Sequence, residues 1–567
     1  MTTKLRSKTF WTINLTIACA LLLALAATPL QAQYSYADLY NFSASGGISP
    51  FDFGQLAEGS DLYLYGTTEF AGANGWGTIF KVSPDGTSFV DLWDFPSGTD
   101  ESFSTTNIAA LTLAGDGYFY GTTGSDGNGY GTLFRIGSSF SASPGPPTIL
   151  HNFDSTEGPG ASRPIQARDG NLYGITGNGI TYRFDLATQT YQLLANSVPG
   201  FSFGGLLLAS NGYLYGAAVN GGEGIGTIFS IATPSGTVTV IHTFTGPDGA
   251  IPFGPLAEVD NPVCKPFMHC VLLYGTTASG GANGAGVVFQ VAPSGAFTVL
   301  HSFDENSDGG SSYAGLLLAP NGQLLGVNFL GGGPGWGTIF QISTAGSFTT
   351  LFNLTGSVGP QEGGNPGTTL MQHTNGCLYG LTAGGGNTGY GGGTFGVFYD
   401  LCPEAPGPIP ILIVEGPIFV PPGVPVEIIG ADWSGISALT FGGVQAQFQT
   451  VSETLLRATV PTDAVDGYVV ATFPSGAQVQ SAKQMYILPQ ITNLDPTSGP
   501  VGQEVDIVGG GFAGATGVEF GSVKATSFTV LSPNLIQATV PAGAVSREVC
   551  VTTPNGTATS TQTFTVN

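Results

Sequence analysis

From Tyr34 onward, short apolar runs alternate with glycine-rich polar stretches, and no helical spacing of apolar positions is sustained after the first 30 residues. One stretch shows the unit. Gly204-Gly205-Leu206-Leu207-Leu208-Ala209 is a small-and-apolar run, and Asn211-Gly212 then breaks it with a hairpin-type pair. Leu214-Tyr215-Gly216-Ala217-Ala218 follows, and a glycine-rich loop leads to Gly226-Thr227-Ile228-Phe229, which continues to Ile231. The unit ends on a run that closes in Phe, Thr239-Val240-Ile241-His242-Thr243-Phe244. Four strand-length pieces separated by turn residues predict four short antiparallel strands.

The unit recurs. Its second piece begins at Leu64, Phe119, Leu172, Leu214, Leu273, Leu324 and Leu378, about fifty residues apart. The third piece, with its lead-in, reads Gly-Trp-Gly-Thr-Ile-Phe from Gly75 to Phe80 and again, unchanged, from Gly335 to Phe340. One four-stranded cluster cannot bury both of its faces, whereas several stacked around an axis can. The pattern therefore predicts a seven-bladed β-propeller over residues 34–402. The ends fit closure. Ala37-Asp38-Leu39-Tyr40-Asn41-Phe42 is a fourth piece with no copy before it, and Gly393-Thr394-Phe395-Gly396-Val397-Phe398 is a third piece with no fourth after it. An N-terminal strand completing the last blade hides both open edges.

With its Leu-Tyr-Gly-Thr-Thr, Gly-Thr-Ile-Phe and Ser83-Pro84-Asp85-Gly86 elements, the repeat resembles the GloVer-type tandem repeat of exported bacterial proteins over roughly residues 36–400. That family is defined by its repeat and by no activity, so the resemblance implies a fold and carries no catalytic residues. A proline-rich linker, 403–410, follows. Residues 488–567, with Asn493-Leu494-Asp495-Pro496-Thr497-Ser498-Gly499-Pro500-Val501-Gly502, resemble the IPT/TIG family of immunoglobulin-like domains. Residues 411–487 repeat the plan without the Pro-Thr-Ser-Gly-Pro opening. The resemblance implies spacer or adhesion modules. The expected fold class is all-β: a seven-bladed β-propeller followed by two immunoglobulin-like β-sandwiches.

Composition agrees with many short strands. Only 9% of residues are charged, 42% are hydrophobic, and 89 glycines and 37 prolines supply turns. Lys4, Arg6 and Lys8, an apolar run and Leu30-Gln31-Ala32 have the layout of a signal peptide over 1–32, which predicts a secreted or cell-surface protein. No other segment is long and apolar enough to span a membrane. The formal charge of −24 becomes about −27 once three basic and no acidic residues are removed. So acidic a chain, with no basic stripe, excludes nucleic acid as a partner. Of the remaining cysteines, Cys264 with Cys270 and Cys377 with Cys402 are placed to pair, and Cys550 is left over.

Candidate chemistry is sparse. His151, His242 and His301 share one repeat position with Tyr40, Trp93 and Phe352, which marks a packing site rather than a catalytic one. No Gly-x-Ser-x-Gly elbow is present. Asp304, Asn306 and Asp308, followed by Gly309, suit the start of a calcium loop, although Gly315 stands where the twelfth-position Glu belongs. A polar turn and a calcium site both remain open there, and calcium is the one cofactor suggested. Trp76, Tyr130 and Trp336 precede the third piece in three copies, and Tyr390 lies close to it in a fourth. Such rings on one face can stack on sugars, or they can plug gaps between blades. The expectation is an exported surface binding or adhesion protein whose partner is a polysaccharide or cell-surface glycan. The alternatives are a secreted carbohydrate-active lyase or hydrolase and a purely structural surface component.

Overall fold

The computed structural model describes residues 34–567 apart from 44–54, 60, 69–76, 96–109, 115, 117, 125–129, 138–145, 159–161, 203, 223, 261–270, 320–321, 357–362, 374, 387–394, 404–412, 416–418, 430–432, 434, 452–454 and 482–483. The signal-like segment 1–32, Cys264 and Cys270 lie outside the described residues. Among those described there is no helix, and none therefore is long and apolar enough to cross a membrane.

The strands up to Pro403 fall into seven small sheets, six of four strands and one of five. Within the first, Ala57–Glu58, Leu64–Thr67, Thr78–Val82 and Phe89–Asp94 pair antiparallel in chain order. The next five, spanning 112–152, 165–197, 207–243, 257–302 and 317–353, repeat that order. The last is completed from the other end of the chain: Tyr34–Asn41 pairs antiparallel with Val397–Pro403. This is the closure expected from the unmatched pieces at the two ends. Cys377 and Cys402 form a disulfide within this closing sheet, while Cys550 is free.

The repeated residues have identifiable jobs. The second and third strands are buried along most of their length because neighbouring sheets cover both of their faces. In the second strand the Tyr hydroxyl meets the Asp or Asn of the preceding turn: Tyr65 donates to Asp61 at 2.9 Å, Tyr120 to Asp116 at 2.7 Å, and Asn211 Nδ2 donates to Tyr215 at 2.7 Å. A buried phenol thereby keeps its polar end satisfied. The following Gly is a shelf for the Phe of the third strand, since a Cβ at Gly66 would fall 2.6 Å from Phe80 Cζ. The Gly that opens the third strand has positive φ, +88° at Gly77 and +96° at Gly337, a conformation other residues adopt at a cost.

The core is divided among the interfaces between consecutive sheets. Tyr65 and Ile79 pack with Phe119 and Phe134, Tyr274 and Val288 with Leu324 and Phe340, and Leu325 and Ile339 with Leu378 and Tyr399. Leu64 and Phe80 of the first sheet pack with Tyr379 and Phe398 of the last, so the stack returns on itself.

Residues 413–487 and 490–566 form two sandwiches of matching strand order, each around its own core, with Trp433 in the first and Phe512 in the second. Asn555 of the second donates from Nδ2 to both carboxylate oxygens of Asp466 in the first, at 2.7 and 2.9 Å.

Candidate functional site

Antiparallel order within each sheet gives the ring two unlike faces. Turns between first and second and between third and fourth strands share one face. Loops between second and third strands, and the connections onward to the next sheet, share the other. Arg168 marks the first face. It sits in the turn after the third sheet's first strand, donates to Ser210 O and, at 2.6 Å, to Pro554 O, and lies 4.3 Å from the Phe419 ring centroid. Both sandwiches therefore touch this face. Burial pushes the Arg168 guanidinium down to about 10. The second face, which carries the Gly335-Trp336-Gly337 loop, is turned away from them.

First strands of adjacent sheets lie against each other where Ile165–Gln166 meets Leu207–Leu208 and where Ala257–Asp260 meets Leu317–Leu318, which puts them on the inner side of the stack. The segments leading into them pack side by side. Thr112 Oγ1 donates to Pro164 O at 2.6 Å, and a Cβ at Gly204 would lie 2.1 Å from Phe253 O. A Cβ at Gly254 would lie 2.3 Å from Gly315 N, and that amide donates to Thr369 Oγ1 at 2.8 Å. Gln55 in turn bridges to Thr369 and donates to Leu370 O. Arg163, Phe253 and Tyr313 all belong to these lead-in segments. Phe253 and Tyr313 meet edge to face at 5.0 Å, and Tyr313 meets Phe329 likewise at 5.2 Å. Phe201, also on this face, is 46% exposed.

The residues singled out from sequence are dispersed. Trp336 is 37% exposed, and its indole lies against Gly356 and Gly364 in the approach to the next sheet. Its carbonyl accepts from Asn365 N at 2.7 Å, which fixes the loop. Tyr130 is half-buried against the core shared by the second and third sheets, as a gap-filling ring would be. Trp76 and Tyr390 lie outside the described residues. Asp304, Asn306 and Asp308 form a turn that uses its own ligands. Asp308 accepts from His301 Nε2 and from Asp304 N, each at 2.6 Å, and Asp304 Oδ1 accepts from Asn306 N at 3.0 Å.

The shared histidine position is an inter-sheet stacking site. His242 stacks on Phe297 and His301 on Phe348, both with centroids 3.9 Å apart, and His151 stacks on Tyr191 at 3.5 Å. Tyr40 does the same to Phe89 at 4.5 Å. The packing role read from the sequence is the one observed. What the sequence reading missed is the acid that holds each imidazole: Glu157 for His151, Asp248 for His242 and Asp308 for His301. Burial raises the Asp248 carboxyl, but hydrogen bonds from Thr245 and His242 outweigh it and hold the group below its ordinary value. Arg163, Phe253 and Tyr313 were also missed. Phe53, Phe203, Phe253 and Tyr313 each stand four residues before the first strand of their copy, whereas Arg163 stands two before Ile165, and the lone cation in these lead-in segments was the available signal.

Fold and repeat together define a propeller-like tandem-repeat protein with immunoglobulin-like modules at its C-terminal end. The chain belongs to the Gloeobacter/Verrucomicrobia repeat family, whose profile matches residues 27–201 and 271–400, and residues 489–566 match the IPT/TIG domain. The stretch between the two repeat matches keeps the same plan, since Leu207–Leu208 to Thr237–Thr243 form one of the seven sheets. No curated protein matches the chain. Among solved structures, a streptogramin B lyase is similar at 12% identity over 65% of this chain and 97% of its own, with a TM-score of 0.42. An extracellular domain of a one-component system from B. thetaiotaomicron is similar at 12% identity over 93% and 76%, with a TM-score of 0.41. The surface glycan-binding protein PbSGBP-B from Prevotella bryantii reaches 14% identity over 26% and 38%, with a TM-score of 0.19. None of these likenesses decides what this chain does.

Proposed function

We propose that the seven sheets are the blades of one propeller, that the chain is exported, and that it binds polysaccharide at the cell surface through the face turned away from its immunoglobulin-like pair. The observation that carries this reading is the aromatic content of that face. Trp336, more than a third exposed and held by a fixed loop, stands on the same face as Phe201 and the Phe253–Tyr313–Phe329 run. Aromatic planes held on rigid loops suit the apolar faces of sugar rings, and nearby backbone and amide groups suit hydroxyls. The paired sandwiches, attached on the opposite side through Arg168, serve as a spacer that presents the binding face outward. By repeat position, Trp76 and Tyr390 extend the same surface.

The test is retention on a polysaccharide panel, comparing the mature protein with Trp336→Ala and with Trp76→Ala/Trp336→Ala. Retention of one glycan that weakens in the single variant and fails in the double, without release of reducing sugar, is the expected result. A protein that binds nothing on the panel, or that cleaves what it binds, sinks the reading.

A further inference from the structure

Residues 34–403 contain six cations, of which Lys265 lies outside the described residues. Four of the remaining five are engaged. Lys81 pairs with Asp61 at 2.9 Å, Arg183 with Asp185 at 3.5 Å, Arg135 covers the Tyr118 ring, and Arg168 joins the sandwiches. Arg163 is different: among the described residues it forms no ion pair with any carboxylate. It is only half-buried, yet burial pushes its guanidinium down. A group that is both wetted and enclosed belongs in a narrow opening rather than on an open surface or in a core. The packing agrees, because a Cβ at Gly205, in the next lead-in segment, would lie 3.6 Å from Arg163 Cβ. The hydroxyl of Ser202, three residues before Gly205 in the same lead-in segment, is buried with no hydrogen-bond partner among the described residues. Leaving a guanidinium and a hydroxyl unused at a confined site costs stability and is repaid when a ligand satisfies them.

We propose that the axial mouth binds an acidic sugar, with Arg163 taking its carboxylate and the Phe253–Tyr313–Phe329 run bearing the ring. This rests on the polysaccharide reading above and names its substrate class. A guanidinium offers two parallel donors that match a carboxylate, and confinement strengthens that pair relative to open water. The chain's charge of −24 works against long polyanions at low salt, although screening removes most of that repulsion beyond about 10 Å at 0.1 M. Recognition is therefore local, of one uronate residue within a short oligomer.

The deciding experiment is calorimetric titration of the full mature chain with galacturonate, glucuronate and mannuronate trisaccharides, their methyl esters, galactotriose and acetate. One acidic trimer is expected to bind about tenfold to a hundredfold more tightly than its ester, which keeps the sugar ring and removes the carboxylate charge. Arg163→Gln, checked for an unchanged melting temperature, is expected to abolish that preference. Equal binding of acid and ester by the unaltered chain overturns the proposal even if Arg163→Gln fails to fold, and acetate binding as tightly as a trimer overturns it in favour of a simple anion site. Neutral trimers that bind with Trp336 dependence and no acid preference refute the role of Arg163 and leave the glycan reading standing. No binding by any sugar removes both.

Discussion

His373 Nε2 donates to the carbonyl oxygen of Leu62 at 3.1 Å, tying the last sheet to the first where the ring closes. The other ring nitrogen, Nδ1, accepts from Asn375 N at 3.0 Å, so the neutral imidazole uses both nitrogens. Burial holds the group below its ordinary value, and the bond to Leu62, which favours the charged form, does not overcome this. Nor does the Glu58 carboxylate, 3.3 Å from Nε2.

The first prediction concerns pH. Because the folded value lies below the unfolded one, the unfolded chain binds more protons, and this contribution to stability falls as pH drops through about 6.5. Asp91 and Asp400, both pushed up to about 6 with burial as the largest cause, act in the opposite sense: the folded chain holds their protons longer, so their contribution is lost as pH rises through 6. The difference between the unaltered chain and His373→Gln isolates the histidine. In urea unfolding from pH 5 to 8 that difference is expected to be largest at pH 8 and to shrink towards pH 5. A constant difference would refute the account.

A second prediction follows from the glycine shelf. A Cβ at Gly326 would lie 2.4 Å from Phe340 Cζ. Gly326→Ala is expected to cost about 1–3 kcal/mol, because the ring has no room to retreat. Shortening the ring by Phe340→Leu in the same chain is expected to recover part of that loss, giving a non-additive double-mutant cycle. Simple addition of the two single-variant costs would show that the contact is not the cause.

Much of the architecture was legible in the sequence for this reason. The Gly that carries Phe340, the turn Asp that holds Tyr120 and the Gly with positive φ before Thr338 are each demanded by local geometry, so they recur at fixed offsets. The unpaired pieces at Ala37–Phe42 and Gly393–Phe398 announced the closing pair. The site was less legible. Trp336 is placed by Gly356, in the approach to the following sheet, and by Gly364 in that sheet, and Arg163 lies against the Gly205 segment of the next copy. The carboxylates that hold the three histidines were nearby, but Glu157 and Asp248 lie six residues on and Asp308 seven. A strict repeat offset does not align them.

A third prediction separates the two readings of the Asp304 turn. With Asp308 already bonded to His301 and to Asp304 N, the turn closes without an added ion. Millimolar calcium is expected to leave the melting temperature within about a degree of its value in chelator, given that occupancy at a hundredfold excess over Kd would stabilise by about 2.7 kcal/mol. A rise of several degrees, abolished in Asp304→Asn, would establish a calcium site there.

The last prediction concerns how the binding face is presented. Arg168 holds Ser210 O in the propeller and Pro554 O in the second sandwich, while its guanidinium lies over Phe419 and 5.8 Å from the Tyr486 centroid in the first. One side chain thus meets three bodies. Arg168→Ala removes two charge-assisted hydrogen bonds, each of about 1.5–3 kcal/mol, together with a cation–π contact. Each body keeps its own core, so melting of the propeller is expected to change little. What should change is their coupling: a larger radius of gyration by X-ray scattering and faster protease cleavage between residues 403 and 411. Arg168→Lys is expected to behave like the alanine variant, because an ammonium lacks the planar fork that reaches Ser210 and Pro554 while lying on Phe419. If both variants scatter and cleave like the unaltered chain, Arg168 does not set the geometry.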